Sequence, residues 1–402
     1  GQALGQAPKP SVPPQPKKQN VSKPVRLNPP PAKPRQATKP VPPAGPAVKP
    51  KSPPKPALKS FLRKTQKLNL IGGDQVLLIG DGLVEQAQKQ GYLEYRITVQ
   101  NSGKKLHFHN IGWSGDTPAG IARDGLGTRQ AGHEPANEGW LQLSKQITDI
   151  KPTVAIIGYG MASSLDGSTL GQFKSDYRRL VGHIKSSAGK KNRLRLVFMS
   201  PIAHENLGGK LPSGEAHNKA LEKYREAIGD LATEHDAWFV DLYRYLRRRN
   251  GSPTPPLTTD GIHLSDYGYW VMASSAEFSF NWTATNFRFG IMDNGTERGG
   301  GYGIKLANIS KTANGVTLDG QFEGLPPYFA HEKKGNLFTQ QTAIGRIQFL
   351  GLPEGRYTLA ADNVEILTAD TKEWASGAFI DAGPDIDQAE EIRRLIMEKN
   401  EL

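Results

Sequence analysis

Val76-Leu-Leu-Ile-Gly-Asp-Gly82 is a short apolar run that ends abruptly in small and acidic residues, and the chain repeats this pattern. Leu106–Asn110 runs into Ile111-Gly-Trp-Ser114-Gly115-Asp-Thr117, and Thr153-Val-Ala-Ile-Ile157 runs into Gly158-Tyr-Gly160-Met161-Ala162. Leu194–Met199 and Trp238-Phe-Val-Asp241 complete a set of five, near-continuously hydrophobic as in strands covered on both sheet faces. Between them, 83–92, 139–150, 168–188 and 214–235 carry helical spacing, with Pro152 and Pro201 as breaks. Alternating strands and helices predict the α/β class, as a three-layer α/β/α domain with a five-stranded parallel sheet over residues 67–277.

On either side of that domain the texture changes. Residues 1–64 hold 14 Lys and Arg, no acid and 18 of the 30 prolines. Too few apolar residues are present to offset chain entropy, so residues 1–66 are expected to be a disordered, partly polyproline II tail. The rest of the chain has 37 basic against 39 acidic residues, so the formal charge of +12 belongs to the tail. A nucleic-acid surface is not expected. The tail reads either as an electrostatic tether to an anionic envelope polymer or membrane surface, or as a solvated spacer. Beyond 278, short alternating segments with Gly-rich turns (Phe287–Met292, Gly315–Phe322, Ile344–Leu350, Arg356–Ala361) predict a small antiparallel β-sandwich or barrel-like module to about 382. A charged amphipathic helix closes the chain over 383–402.

No apolar run is long enough to span a bilayer, and zero cysteines exclude disulfides and thiol chemistry. The chain begins at Gly1, which with the Pro/Lys stalk leads to the expectation of a processed, exported chain in the periplasm or cell envelope.

In a doubly wound sheet the reactive groups follow the strands, which singles out Gly80-Asp81-Gly82, Ser114-Gly115-Asp116-Thr117, Gly160-Met161-Ala162 and Asp260-Gly-Ile-His263. In combination, over about residues 68–275, these blocks resemble the SGNH hydrolases, the GDSL-type lipases and esterases. The resemblance implies a serine nucleophile in the first block, backbone N–H donors in the first and second, an asparagine donor in the third, and an Asp-x-x-His pair in the last. Gly80, Asp81, Gly115, Gly160, Asp260 and His263 match. Gly82 stands at the serine position and Ala162 at the asparagine position. Further pieces (Ser200-Pro-Ile-Ala-His204-Glu205, Ala216-His217-Asn218, Glu373-Trp374) are similar to a branch of secreted bacterial SGNH-like proteins with a C-terminal β module, whose closing helix continues further than Leu402.

Glycine has no side chain to attack an ester. Loss of the nucleophile costs on the order of 10⁶ in rate, and each missing oxyanion donor about 10²–10³. Asp260 and His263 then read either as a retained catalytic base or as a carboxylate–imidazole pair kept for structure. Ser114 and Ser163 are the nearest alternative hydroxyls, as ligand donors or as a relocated nucleophile. No metal site is expected, and His204-Glu205, a close pair of ligand types after the Pro201 turn, reads as cleft lining. No cofactor is expected either: Gly80-x-Gly82 has Glu85 at the offset where a dinucleotide fingerprint needs glycine. The sequence thus predicts an esterase-derived protein of acylated carbohydrate or another small ester, with little or no hydrolysis. The alternatives are a working acylhydrolase with a relocated nucleophile, and a structural envelope component.

Overall fold

The computed structural model describes residues 58–123, 137–189, 194–209, 213–247, 255–283, 285–299, 301–327, 329 and 343–402. Residues 1–57, where most of the predicted tail falls, lie outside them.

Five strands form one parallel sheet: β1 (Gln75–Gly80), β2 (His107–Asn110), β3 (Val154–Gly158), β4 (Arg195–Met199) and β5 (Trp238–Val240). Their order is β2-β1-β3-β4-β5. Side chains alternate across the sheet and divide the core in two. Val76, Leu78, Val154, Ile156, Val197 and Met199 share one cluster, while Leu77, Ile79, Ala155, Ile157, Leu196 and Phe198 share another. The first is covered by α1 (Gly82–Gln90), α2 (Tyr92–Val99) and α7 (Asp266–Ser279). The second is covered by α3 (Glu138–Ile150), α4 (Leu170–Ser187) and α5 (Glu215–Glu234). A short α6 (Leu242–Arg247) follows β5. This is the α/β sandwich that the sequence predicts.

Strand order reverses between β1 and β3, whose ends stand level at Gly80 and Gly158. In open α/β sheets, ligands bind in the crevice at such a switch point.

Beyond the sheet, β6 (Phe287–Met292), β9 (Gly345–Leu350) and β12 (Ala378–Ile380) form a three-stranded sheet. Two hairpins stand beside it, β7 (Ile304–Thr312) with β8 (Gly315–Phe322), and β10 (Arg356–Ala361) with β11 (Val364–Asp370). The expected all-antiparallel module is corrected at one pairing, because β6 and β9 run parallel. A connection that includes the β7–β8 hairpin brings β9 back in the direction of β6, and local alternation cannot reveal that. A short helix α8 (Thr371–Ser376) buries Trp374 in this module's core.

Both ends of the described chain pack on the α/β domain. Phe61 meets Phe239 edge to face at 5.2 Å, and the Arg63 guanidinium lies over Phe278. Residues 58–66, which composition assigns to the tail, therefore belong to the compact unit that starts at Leu58. Helix α9 (Pro384–Glu401) lies against α1 and α2 through Ala389 and Ile396, which cluster with Tyr95. Arg393 Nε donates to the Gln90 carbonyl (2.9 Å), and Asn400 Nδ2 to that of Gln88 (3.1 Å).

Candidate functional site

At the end of β1, Asp81 caps α1 by accepting from the Leu83 N–H (3.2 Å). Its second oxygen accepts from the N–H groups of Met161 (3.1 Å) and Ala162 (3.4 Å), tying the turn after β1 to the turn after β3. The carboxyl is fully buried, and burial pushes it up to about 6 against the pull of those three N–H donors. A raised native value means that the folded state holds its proton above the unfolded value of 3.8. Stability from this group is complete below about pH 4 and is lost as pH rises to about 6, by about 3 kcal/mol at 1.36 kcal/mol per unit. Chemical denaturation should show the stability of the unmodified protein falling by that order, relative to Asp81→Asn, between pH 4 and pH 7. A difference that stays flat with pH would contradict the assignment.

The second block is strapped over the start of α1. Asn110 Nδ2 donates to the Val84 carbonyl (2.8 Å), and the Trp113 N–H to that of Gly80 (3.0 Å). Ser114 donates both its N–H (3.0 Å) and its hydroxyl to the Glu85 carboxylate. Gly115 follows at φ 77°, a left-handed conformation that a side chain strains. Asp116 and Arg123, both buried, anchor this turn from below. Arg123 Nε donates to Asp116 (2.8 Å), Nη1 to Gln146 (2.8 Å) and Nη2 to the Ile111 carbonyl (2.5 Å). Burial pushes the Asp116 carboxyl up, and Arg123 opposes it.

Gly160, at φ 127°, turns the chain out of β3, where a Cβ would lie 3.2 Å from the ring of Pro201. Ala162 then opens a short 3₁₀ turn and brings only a methyl group to the asparagine position. In the last block, Asp260 accepts from the N–H groups of Ile262 (3.0 Å) and His263 (2.9 Å), and its other oxygen meets His263 Nδ1 at 2.6 Å. Burial works against its charge, but the imidazole and the two N–H donors hold the carboxyl down to about 2. Asp260 thus fixes the orientation of a ring that is 63% exposed in its side chain.

Asp81, Gly82, Ser114, Gly115, Ala162 and His263 line one cleft of about 160 Å³. Gly160 lies between Tyr159 and Met161, which line it too. Ser163 does not reach it. Its side chain is buried in a separate cavity with Thr117 and Phe173, and its carbonyl accepts from the Tyr224 hydroxyl (2.7 Å). The four blocks therefore converge, and one of the two candidate hydroxyls is excluded from the cleft.

A Cβ on Gly82 would lie 3.1 Å from Ser114 Oγ. Among the described residues, neither the Gly82 N–H nor the Gly115 N–H has an acceptor. Two residues with unpaired backbone donors thus line the cleft beside an oriented histidine, with no hydroxyl on the first strand's exit.

Two residues matter more than composition suggests. Glu85, at the position that excludes a dinucleotide fingerprint, holds Ser114. Glu205, expected as cleft lining, instead anchors the loop that carries Asp260 and His263, accepting from the Thr258 N–H (2.8 Å) and hydroxyl (2.6 Å). An i, i+3 acid after Gly82 was the available signal for Glu85. Only tertiary placement reveals Glu205. Its neighbour His204 pairs with His217, Nδ1 to Nδ1 at 3.1 Å. Among the described residues no three His, Asp or Glu side chains gather as metal ligands.

A parallel sheet in this strand order, with Asp-x-x-His beside paired backbone donors at the switch point, defines an SGNH-type hydrolase domain. Residues 78–271 match the GDSL-like Lipase/Acylhydrolase family, and the chain carries a domain of that family. The fold is similar to that of a gut microbial diltiazem-metabolizing enzyme, with a TM-score of 0.60 at 17% identity over 84% of this chain and 79% of that one. Smaller likenesses include a catalytic mutant of an acetylxylan esterase from Geobacillus stearothermophilus (TM-score 0.42, 17% identity, 53% of this chain and 97% of that one). Another is an alpha/beta hydrolase enzyme from the metagenome of Lake Arreo, Spain (TM-score 0.41, 15% identity, 52% and 96%). No curated protein matches the sequence.

Proposed function

We propose that this chain is an ester-binding protein of the SGNH type whose own hydrolysis is weak or lost. The observation that carries the reading is Gly82 on the exit of β1, in a cleft that keeps the Gly82 and Gly115 N–H donors and the Asp260–His263 pair. Such a cleft can hold an ester carbonyl by its oxygen but offers it no attacking group on the family's usual turn. Its ligand is an acylated carbohydrate or another small ester with a short acyl group, in keeping with a volume of about 160 Å³. Isothermal titration with an O-acetylated oligosaccharide and its deacetylated parent tests this. Heat for the acetylated form alone, with the ligand recovered intact, supports it. Equal heats, or release of acetate on mixing, contradict it.

One observation favours a second reading. Ser114 Oγ lies within reach of the space that the missing hydroxyl would occupy, already bonded to a carboxylate. In that reading Ser114 attacks the ester carbonyl, and His263, oriented by Asp260, takes the hydroxyl proton and returns it to the departing alcohol as the acyl-enzyme forms.

The basic tail, in this proposal, tethers an exported protein to an anionic polymer of the cell envelope rather than serving as a structural component itself. Deleting residues 1–57 should abolish salt-sensitive retention on immobilised polyglutamate and leave the melting temperature within about 1 °C, since the compact unit starts at Leu58. Retention by the shortened protein would remove the tether from the account.

A further inference from the structure

A second cavity exceeds the cleft in volume. It measures about 550 Å³, is open to solvent on one side and lies in the C-terminal β module, between the β6/β9 sheet, the two hairpins and the start of α9. Phe289, Ile347 and Phe349 line it from the sheet, Val316 and Leu318 from one hairpin, and Ile366 from the other. Volume and lining fall in the range of small-molecule sites, which are mostly apolar with a few placed polar groups.

The polar groups at one end share one sign. Asp362, in the tight turn between β10 and β11, and Asp385, in the first turn of α9, both border the cavity. Among the described residues, neither carboxylate has a hydrogen bond or an ion pair in the structure. Burial raises the Asp385 carboxyl, and the charge of Asp362 raises it further, so the two acids interact unfavourably with no cation between them. Apolar walls that end in two unpaired acids complement an apolar body that carries positive charge at one end.

We propose that the β module holds a second ligand site, separate from the ester cleft, for an amphiphile with an apolar body and a single cationic head. The apolar body fills the space between the sheet and the β7–β8 hairpin, and the head lies between Asp362 and Asp385. The site does not depend on the reading of Gly82.

The test uses the full chain and three alkyl probes below their micelle concentrations: dodecyltrimethylammonium, dodecanol and dodecyl sulfate. Titration followed by tryptophan fluorescence and calorimetry should rank the cation about tenfold tighter than the alcohol, with the sulfate weakest. Asp362→Asn combined with Asp385→Asn should erase the preference for the cation and leave alcohol binding unchanged. Leu318→Trp, which fills the cavity, should reduce binding of both, with circular dichroism verifying that each variant is folded. Equal affinity for all three probes, or a preference that survives in the double Asn variant, overturns the cationic assignment. Failure of every probe to bind the folded wild-type chain overturns the site itself.

Discussion

Gly82→Ser should raise the hydrolysis of short aryl esters by at least an order of magnitude over the unmodified protein, and the gain should vanish when His263→Ala is added. The site is prepared for that hydroxyl. Gly82 is the first residue of α1 and is absent from the positive-φ positions, so serine adopts its backbone without strain. The new Cβ would lie 3.1 Å from Ser114 Oγ, which must give by a few tenths of an ångström; Ser114→Ala makes the room directly. His263, oriented by Asp260 at 2.6 Å, serves as base, and Gly82 and Gly115 supply two oxyanion donors. The third donor is still missing at Ala162, which caps the gain. Adding Ala162→Asn should bring a further factor of about 10², the usual worth of one oxyanion donor. No gain in a variant with unchanged melting temperature would mean that the cleft is not a degenerate hydrolase site.

The second large effect concerns the support of the Gly115 turn. Asp116 is fully buried and Arg123 nearly so, and the Asp116 carboxylate accepts from Arg123 Nε at 2.8 Å. Asp116→Ala strands a buried guanidinium, so chemical denaturation should register a loss of about 3–5 kcal/mol. Converting both partners, as in Asp116→Leu with Arg123→Met, removes the stranded charge and should recover much of that loss. Arg123 also holds the Ile111 carbonyl and Gln146, and those contacts go with it, so the recovery is incomplete. A loss below about 1 kcal/mol for Asp116→Ala would show that water reaches the pair.

The sheet was legible because its central strands are short apolar runs, and the runs from Val76, Thr153 and Leu194 begin within a residue of β1, β3 and β4. Helix α2 was not, because Tyr92, Leu93, Tyr95, Arg96 and Ile97 are all buried and leave no polar stripe to mark its period. Arg96 reads as a surface residue in sequence, yet it pairs with Glu277 at 2.9 Å inside the fold. The site divides in the same way. Gly82, Gly115, Ala162 and His263 follow strands or sit in a fixed spacing, so local sequence reveals them. Ser163 adjoins Ala162 in sequence but turns into another cavity, because a 3₁₀ turn rotates successive side chains to different sides. The hold of Glu85 on Ser114, across 29 positions, depends on the loop that folds back over α1. The parallel pairing of β6 with β9 is of the same long-range kind.

The most direct test of the central claim is a measurement on the unmodified full chain: turnover of 4-nitrophenyl acetate beside a His263→Ala control, with a fluorophosphonate probe and mass spectrometry of the labelled peptides. The account predicts rates that agree within about twofold and no labelled serine. Turnover that depends on His263, together with probe attached at Ser114, would contradict it and establish the relocated nucleophile.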